Sequence, residues 1–431
     1  MNQNIELYIH IPFCVKKCEY CDFLSEAAGE VEQQEYVEAL VQEIDMYQGQ
    51  IKGDTVTSVF LGGGTPSILT ENQITVLFAA LKEAFTILPD AEITIEINPG
   101  AVTREKLRIY RGVGINRLSI GLQSTNNSEL QKLGRIHTYE EFLQTYHMAR
   151  EEMFDNINID LISAIPGQTT VSWKQTINKV IQLSPEHISA YSLIIEEGTL
   201  FYELYGSQTD DAMCHELYGS QTDDIARYEL QGNQNSNVSF MIHCMQDDKL
   251  PDEDEEREIY AMTKTLLEHA GYDRYEISNY AKPGYECRHN LGYWDRVQYL
   301  GIGLGSSSLI GNRRFSHIRD RSQYCKQMRS YRTETRDGRF IENGIIPGIT
   351  EDVEVLTFRE QMEEYMFLGL RKMAGVSQQK FNHNFGVEMN EIYGEIIVKL
   401  LNQGLLTRKG DILSLTERGI DVSNRVLSEF L

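Results

Sequence analysis

The sequence has no run of 18 or more apolar residues, so no segment of it is fit to cross a bilayer as a helix. It opens without a basic stretch, an apolar stretch and a small-residue cleavage site in series, which predicts no signal peptide and a cytoplasmic location. Basic residues are scarce. Against 64 Asp and Glu stand 40 Lys and Arg, a formal charge of −24. Nucleic acid is held chiefly through Lys and Arg on its phosphates, so this balance speaks against a nucleic-acid partner. It also gives little reason to bind a membrane without specific contacts. Seven cysteines, three of them clustered, do not make a disulfide framework, and a reducing compartment suits them. What remains is a globular chain, 41% hydrophobic and 24% charged, long enough at 431 residues for two or three domains.

The first 200 residues repeat one pattern. Short β-rich runs at Glu6–Ile11, Val56–Leu61, Ile93–Ile97, Arg117–Gly121, Ile157–Ile162 and Ile188–Leu193 alternate with longer amphipathic segments. Those segments predict helices at Gln33–Tyr47, Glu71–Phe85, Arg104–Gly112, Tyr139–Met153 and Val171–Leu183, with a capping box at Thr70 to Gln73. Strand–helix alternation implies right-handed crossovers and a parallel sheet, either open and doubly wound or a whole or partial barrel. In both cases ligands gather beyond the carboxyl ends of the strands. The chemically suggestive residues fall at that end: three cysteines after the first strand, Gly62-Gly63-Gly64-Thr65-Pro66 after the second, Glu96 and Asn98 closing the third, Gln123 after the fourth and Asp160 on the fifth.

Cys14, Cys18 and Cys21, at Cys-x3-Cys-x2-Cys spacing, carry the strongest signal. Three thiolates are one short of the usual four for an iron–sulfur cluster and leave one iron open. A zinc knuckle, with His10 as a fourth ligand, or three buried thiols would be the structural alternatives. The glycines let backbone approach a ligand closely. Glu96 and Asp160, on otherwise apolar strands, are costly unless they meet a cation or hydrogen-bond donors. Arg135 suits a carboxylate by bidentate pairing. Structural ion pairs would explain any of these charges singly.

From 201 to 250 the texture turns polar, and Glu203–Asp211 recurs as Glu216–Asp224. That predicts a weakly structured insertion, in which Cys214-His215 and His243-Cys244 read as chance pairs rather than a metal site. Residues 251–350 begin with a helix over Pro251–Ala270 and continue with a strand candidate, Tyr275–Tyr280. His289-Asn290-Leu291-Gly292-Tyr293-Trp294 follows, then a close-packed turn at Gly301–Gly305 and a polar stretch near 316–350. Residues 351–431 predict helices at Phe358–Lys372 and Ile392–Asn402 and a hairpin over Leu405–Thr416, a winged-helix-like α+β domain read here as a packing module.

Tyr8-Ile9-His10-Ile11-Pro12-Phe13-Cys14, the cysteine spacing and Gly-Gly-Gly-Thr-Pro resemble the radical S-adenosylmethionine superfamily, in its oxygen-independent coproporphyrinogen oxidase branch. The resemblance covers residues 5–200 and resumes at 250–310 and 355–431. It implies a partial (β/α)6 barrel over residues 1–200. It also implies a [4Fe–4S] cluster on Cys14, Cys18 and Cys21, fed by an electron donor, with S-adenosylmethionine chelating the open iron and cleaved to methionine and a 5′-deoxyadenosyl radical. Tyr8, Gly63, Gly64, Thr65, Glu96, Gln123, Arg135, Asp160 and Ile194 match family positions around S-adenosylmethionine, Glu96 at the amino end and Arg135 at the carboxylate.

Two departures separate this chain from the oxidases of the branch. They have a fourth cysteine two residues past the triad, where this sequence has Phe23, and an N-terminal extension for which this chain has no room. Cys-x-Tyr-Cys-Asp-Phe and the His-Asn-x-x-Tyr-Trp segment resemble instead the heme chaperones of the same branch. That implies heme as a ligand, with His289 toward its iron and Tyr293 and Trp294 against its face. It also implies a heme-accepting partner protein, membrane-associated or not. The alternatives are a coproporphyrinogen III dehydrogenase, in which the 289–294 segment merely packs the strand edge of the barrel, and a redox-sensing winged-helix regulator.

Overall fold

The computed structural model describes residues 4–49, 55–209, 248–333 and 344–431. Most of the repeated insertion lies outside them, as do both Cys–His pairs. The first copy of the repeat opens inside a helix, Leu200–Thr209, where a loop is expected.

Six strands, β1 (Asn4–Ile11), β2 (Thr55–Gly63), β3 (Ile87–Ile97), β4 (Arg117–Gln123), β5 (Ile157–Ser163) and β6 (His187–Ser192), pair in chain order and in parallel. Helices Glu30–Tyr47, Glu71–Ala84, Arg104–Val113, Tyr139–Glu151 and Thr170–Leu183 form the crossovers. Local chemistry sets their starts. Thr70, for example, accepts from Gln73 N at 3.3 Å while the Gln73 side chain accepts from Thr70 N at 2.9 Å. Strand alternation does the rest. Ile5, Leu7 and Ile9 of β1 join the buried core under the helices, while Glu6, Tyr8 and His10 turn to the opposite face.

That opposite face is polar. It carries Glu6, Ser58, Glu92, Arg117, Ser119, Asn158, Asp160, His187 and Ser189, all but Asp160 buried by exposed area and Asp160 partly so. A sheet face this polar needs partners. Asp160 accepts from Ser119 and Asn158 on neighbouring positions of the sheet, and Ser58 meets His289, whereas Glu6 Oε2 and Arg117 Nε have no hydrogen-bond partner among the described residues.

Beyond β6 the sheet continues through β7 (Asp273–Arg274) and β8 (Asn279–Ala281). Beyond β1 it continues through β9 (Gln298–Ile302), β10 (Ser307–Ile310), β11 (Arg313–His317) and β12 (Thr350–Val355). The order β12-β11-β10-β9-β1-β2-β3-β4-β5-β6-β8-β7 has two free ends, which makes the (β/α)6 unit a partial barrel. The C-terminal α+β domain has its own three-stranded sheet, β13 (Val376–Ser377), β15 (Ile412–Leu415) and β14 (Leu406–Lys409), and its own core around Met366, Phe381, Ile397 and Leu413.

Two expectations on the local structure are corrected. Tyr275–Tyr280 is not one strand: Glu276 turns in to accept from Ser278 N at 2.8 Å and Asn279 Nδ2 at 2.7 Å, breaking the run between β7 and β8. The polar stretch near 316–350 contains a helix, Arg321–Thr333. Residues 289–294 lie in a helix, Arg288–Trp294, packed against β2.

Candidate functional site

The cysteine loop leaves β1 and is pinched shut at its base. Cys14 N donates to Glu26 O at 3.0 Å and Glu26 N to Pro12 O at 2.8 Å. Its middle is tied to neighbouring loops by Glu19 N to Leu133 O, 3.3 Å, and Phe201 N to Glu19 O, 3.2 Å. All three thiols are half-buried and free. Burial pushes the Cys21 thiol up to about 11, so it needs a bound cation to persist as a thiolate. Among the described residues no three or more His, Cys, Asp or Glu gather tightly enough for one metal ion. A four-iron cluster makes a different demand, because each thiolate takes a different iron.

The other strand ends close around this loop. Cys14 Sγ lies 3.4 Å from Thr65 Oγ1, which accepts from Asn98 Nδ2 at 2.8 Å. Asn98 Oδ1 in turn accepts from Arg135 Nη2 at 2.7 Å, and Arg135 Nη1 reaches Cys18 Sγ at 3.6 Å. This chain of contacts runs from one cysteine to another through the ends of β2 and β3. Arg135 also donates to Gly121 O at 2.7 Å, and its buried Nε has no partner. Arg135 thus meets amide and carbonyl oxygens here, with no carboxylate of the described residues on its guanidinium.

The glycine turn after β2 is pressed against the loop. Gly64 N donates to Ile11 O at 2.8 Å and Thr65 N to Phe13 O at 2.7 Å. A Cβ on Gly64 would stand 2.7 Å from Phe13 O, and one on Gly63 2.6 Å from the His10 ring. Gly63 also has φ +113°. Gly63→Ala is therefore expected to cost about 2 kcal/mol, read as a lower urea midpoint; an unchanged midpoint would show that the turn relaxes freely.

Gly63 N donates to Glu96 Oε2 at 3.1 Å. Burial first, then the charge of Asp160, pushes the Glu96 carboxyl up to about 8. A bound cation would reverse that. Asp160 is raised by burial and partly compensated by Ser119 Oγ at 2.9 Å and Asn158 Nδ2 at 2.7 Å. Gln123 ends β4 at φ +70°, and Tyr8 meets His10 Nδ1 at 3.0 Å. Ile194, just past β6, is 67% exposed, and Phe23 on the cysteine loop 64%. The sequence-derived set thus converges at the carboxyl ends of the strands, with Ile194 standing clear of the hydrogen-bonded cluster.

The second predicted set lies deeper. His289 is 2% exposed, stacked on Phe60 with ring centroids 5.2 Å apart. Its Nδ1 meets Ser58 Oγ at 2.8 Å and its Nε2 meets Tyr293 OH at 3.1 Å. Burial lowers it to about 3, so it is neutral. Neither ring nitrogen is free in this conformation. Trp294 is covered by the Arg371 guanidinium, 4.5 Å from the ring centroid.

Sequence reasoning missed two residues here. Glu92 accepts from Arg288 N at 3.1 Å and His289 N at 3.3 Å, capping the helix that carries His289. Arg117, 2% exposed, sits in the field of Cys287 and Glu92. Glu92 had a signal: it shares a strand face with Glu96, four residues on.

The radical SAM superfamily pattern matches residues 8–180 and the HemN C-terminal domain residues 356–422. Three thiols with an open side, a glycine turn and a buried acid beyond the ends of a partial (β/α)6 barrel define a radical SAM protein, a class that carries a [4Fe–4S] cluster and S-adenosylmethionine. The fold is similar to that of coproporphyrinogen III oxidase (HemN) from Escherichia coli, a radical SAM enzyme, with TM-score 0.77 at 22% identity over 100% of this chain and 90% of that one. The heme chaperone HemW of Lactococcus lactis is 32% identical over 98% of this chain and 96% of its own length. HemW of Bacillus subtilis is 33% identical over 98% of each. The chain belongs to the HemW family.

Proposed function

We propose that the protein is a heme chaperone, binding heme and passing it to an acceptor protein from a scaffold that holds a [4Fe–4S] cluster and S-adenosylmethionine. The observation that carries this reading is the full-length identity to proteins named heme chaperone HemW. Phe23 supports it, because the oxidases of the branch carry a cysteine at that position.

In this reading Cys14, Cys18 and Cys21 ligate the cluster. Bound there, a cluster would supply one electron, received from a separate donor, for reductive cleavage of S-adenosylmethionine. Glu96 takes the amino end, its carboxyl returning to the charged form beside an ammonium. Arg135 turns its free Nε edge to the carboxylate. Gly63, Gly64 and Thr65 give the ligand a close backbone approach; Tyr8, Gln123, Asp160 and Ile194 complete the wall.

Heme is assigned to His289, Tyr293 and Trp294. Ligation by His289 would require one ring nitrogen to give up Ser58 or Tyr293. Among the described residues no helix is long and apolar enough to cross a membrane. The proposed setting is the cytoplasm, and a membrane-associated acceptor would be met through protein contacts.

Anaerobic heme titration with and without S-adenosylmethionine, followed by incubation with coproporphyrinogen III, tests this. Stoichiometric heme binding without porphyrinogen turnover is expected; protoporphyrinogen formation would replace the proposal with a dehydrogenase. His289→Ala is expected to alter the bound-heme spectrum, and an unchanged spectrum removes His289 as ligand.

A further inference from the structure

His10 stands on β1 between Tyr8 and the cysteine loop, 7% exposed. Its Nε2 is 2.8 Å from Leu24 O and its Nδ1 3.0 Å from the Tyr8 hydroxyl. A carbonyl oxygen only accepts, so Nε2 carries the proton. Burial lowers the imidazole's basicity and keeps that proton its only one. Nδ1 is then an acceptor, and the Tyr8 hydroxyl donates to it. Tyr8 thereby commits its one proton to His10 and presents only lone pairs elsewhere.

The ring is held from several sides. It underlies Gly63, where a Cβ would stand 2.6 Å from its Cε1. Its own carbonyl accepts from Tyr36 OH at 2.9 Å, and the Tyr36 oxygen accepts from Leu304 N at 2.9 Å. The Leu24 carbonyl it grips lies on the outgoing arm of the cysteine loop, two residues before the Glu26 backbone bonds that close the base.

We infer that His10 is a positioning residue with two outputs: it anchors the outgoing arm of the cysteine loop through Leu24, and it fixes Tyr8 as a hydrogen-bond acceptor toward the ligand. The neighbouring acid is Glu96, which accepts at 3.1 Å from Gly63 N, the glycine that the His10 ring underlies. A phenol oxygen and a carboxylate, both acceptors, complement an ammonium and not a carboxylate. This deepens the S-adenosylmethionine reading by assigning Tyr8 to the amino end.

The test begins with 15N NMR of the histidine rings in the full chain, loaded anaerobically with its cluster. The chain has ten histidines, and His10→Gln identifies the resonances of His10. The expected tautomer is Nε2–H, and Tyr8→Phe is expected to move the Nδ1 resonance toward that of an unbonded acceptor nitrogen. A protonated Nδ1, or no response to Tyr8→Phe, overturns the inference.

A second arm compares His10→Phe, which fills the space without a donor, with His10→Gln, which keeps a donor within reach of Leu24. His10→Phe is expected to lose iron to a chelator about tenfold faster than the parent, the effect of one buried hydrogen bond. It is also expected to bind S-adenosylmethionine more weakly. His10→Gln is expected to restore iron retention, which a space-filling role would not require. Equal iron retention in His10→Phe and the parent overturns the anchoring role. A parent chain that takes up no cluster defeats the site reading instead, and the tautomer remains measurable in that chain.

Discussion

Cys18→Ala is expected to abolish the visible absorbance of the iron–sulfur cluster and to leave the barrel folded. The Cys18 side chain is half-buried, and the Arg135 guanidinium lies 3.6 Å from its sulfur. Arg135 keeps its bonds to Asn98 and Gly121 without it. The loop's own geometry rests on backbone bonds that the substitution spares: Cys21 N to Cys18 O at 3.2 Å and the Glu26 closure. Removing a thiol there should cost folding no more than about 1 kcal/mol. For the cluster the loss is of one ligand in three, and two thiolates cannot cover three irons. Iron and sulfide content, absorbance and a urea melt on one preparation separate the two effects. Cys287→Ala is the matched control. Cys287 is buried, with its thiol donating to Glu92 Oε1 at 3.3 Å at the base of another helix, and that variant should keep its iron. Iron retained in Cys18→Ala would overturn the three-cysteine ligand set.

The parts legible in the sequence are those where one physical rule acts alone. The six central strands alternate between an apolar face and a polar one, and four of the five crossover helices begin at a threonine cap, Thr70, Thr103, Thr138 and Thr169, so the parallel unit and the end at which ligands gather follow directly. Glu96 and Asp160 stood out because an acid on a buried strand requires an explanation. Glu92 falls one residue outside the predicted run Ile93–Ile97, so the same argument does not reach it, although β3 extends back to Ile87. Glu92 serves a helix almost 200 positions later, and nothing local reveals that. Helix Arg321–Thr333 escaped for the opposite reason. Its buried stripe is only Tyr324, Cys325 and Met328 in an otherwise polar segment, although Asp320 caps it by accepting from Gln323 N at 2.7 Å. The β10–β11 hairpin turns through Gly311-Asn312, with Gly311 at φ +63°, a two-residue turn signal between short strands that the sequence pattern leaves unassigned. His289 shows the limit of motif reasoning. The residue types suggest a heme ligand, while Nδ1 is occupied by Ser58, 231 positions earlier, and Nε2 by Tyr293. Sequence spacing carries no information about the Ser58 contact.

Glu43→Ala is expected to destabilise the protein by about 3 kcal/mol, and Glu43→Gln to stabilise it in a pH-dependent way. Glu43 lies on helix Glu30–Tyr47 with no exposed surface. Its Oε2 accepts from Gly303 N at 3.0 Å and from the Tyr324 hydroxyl. Alanine would strand both donors in the core and leave a cavity. Glutamine keeps an acceptor oxygen for them and carries no charge. Burial pushes the Glu43 carboxyl from its ordinary 4.5 up to about 8, with Tyr324 and Gly303 partly offsetting it. Below about pH 4.5 both folded and unfolded chains hold the proton, and the protonated acid contributes its full stability. As pH rises toward 8 the unfolded chain ionises first, so that contribution falls; above 8 both are charged and the loss is complete. The advantage of Glu43→Gln over the parent should therefore be small near about pH 4.5 and grow up to about pH 8, after which it levels. Glu6, raised to about 9, and Glu96, raised to about 8, titrate in the same window, but they do so equally in parent and variant and cancel in the difference. Paired urea melts across that range provide the measurement, and a difference independent of pH would mean that Glu43 is already ionised in the folded protein. The effect reaches the site through Gly303, where a Cβ would stand 2.5 Å from Tyr36 OH and 3.0 Å from His10 O. Loosening that turn in Glu43→Ala frees the backbone beneath His10, so its iron retention should fall together with its stability, whereas Glu43→Gln keeps both.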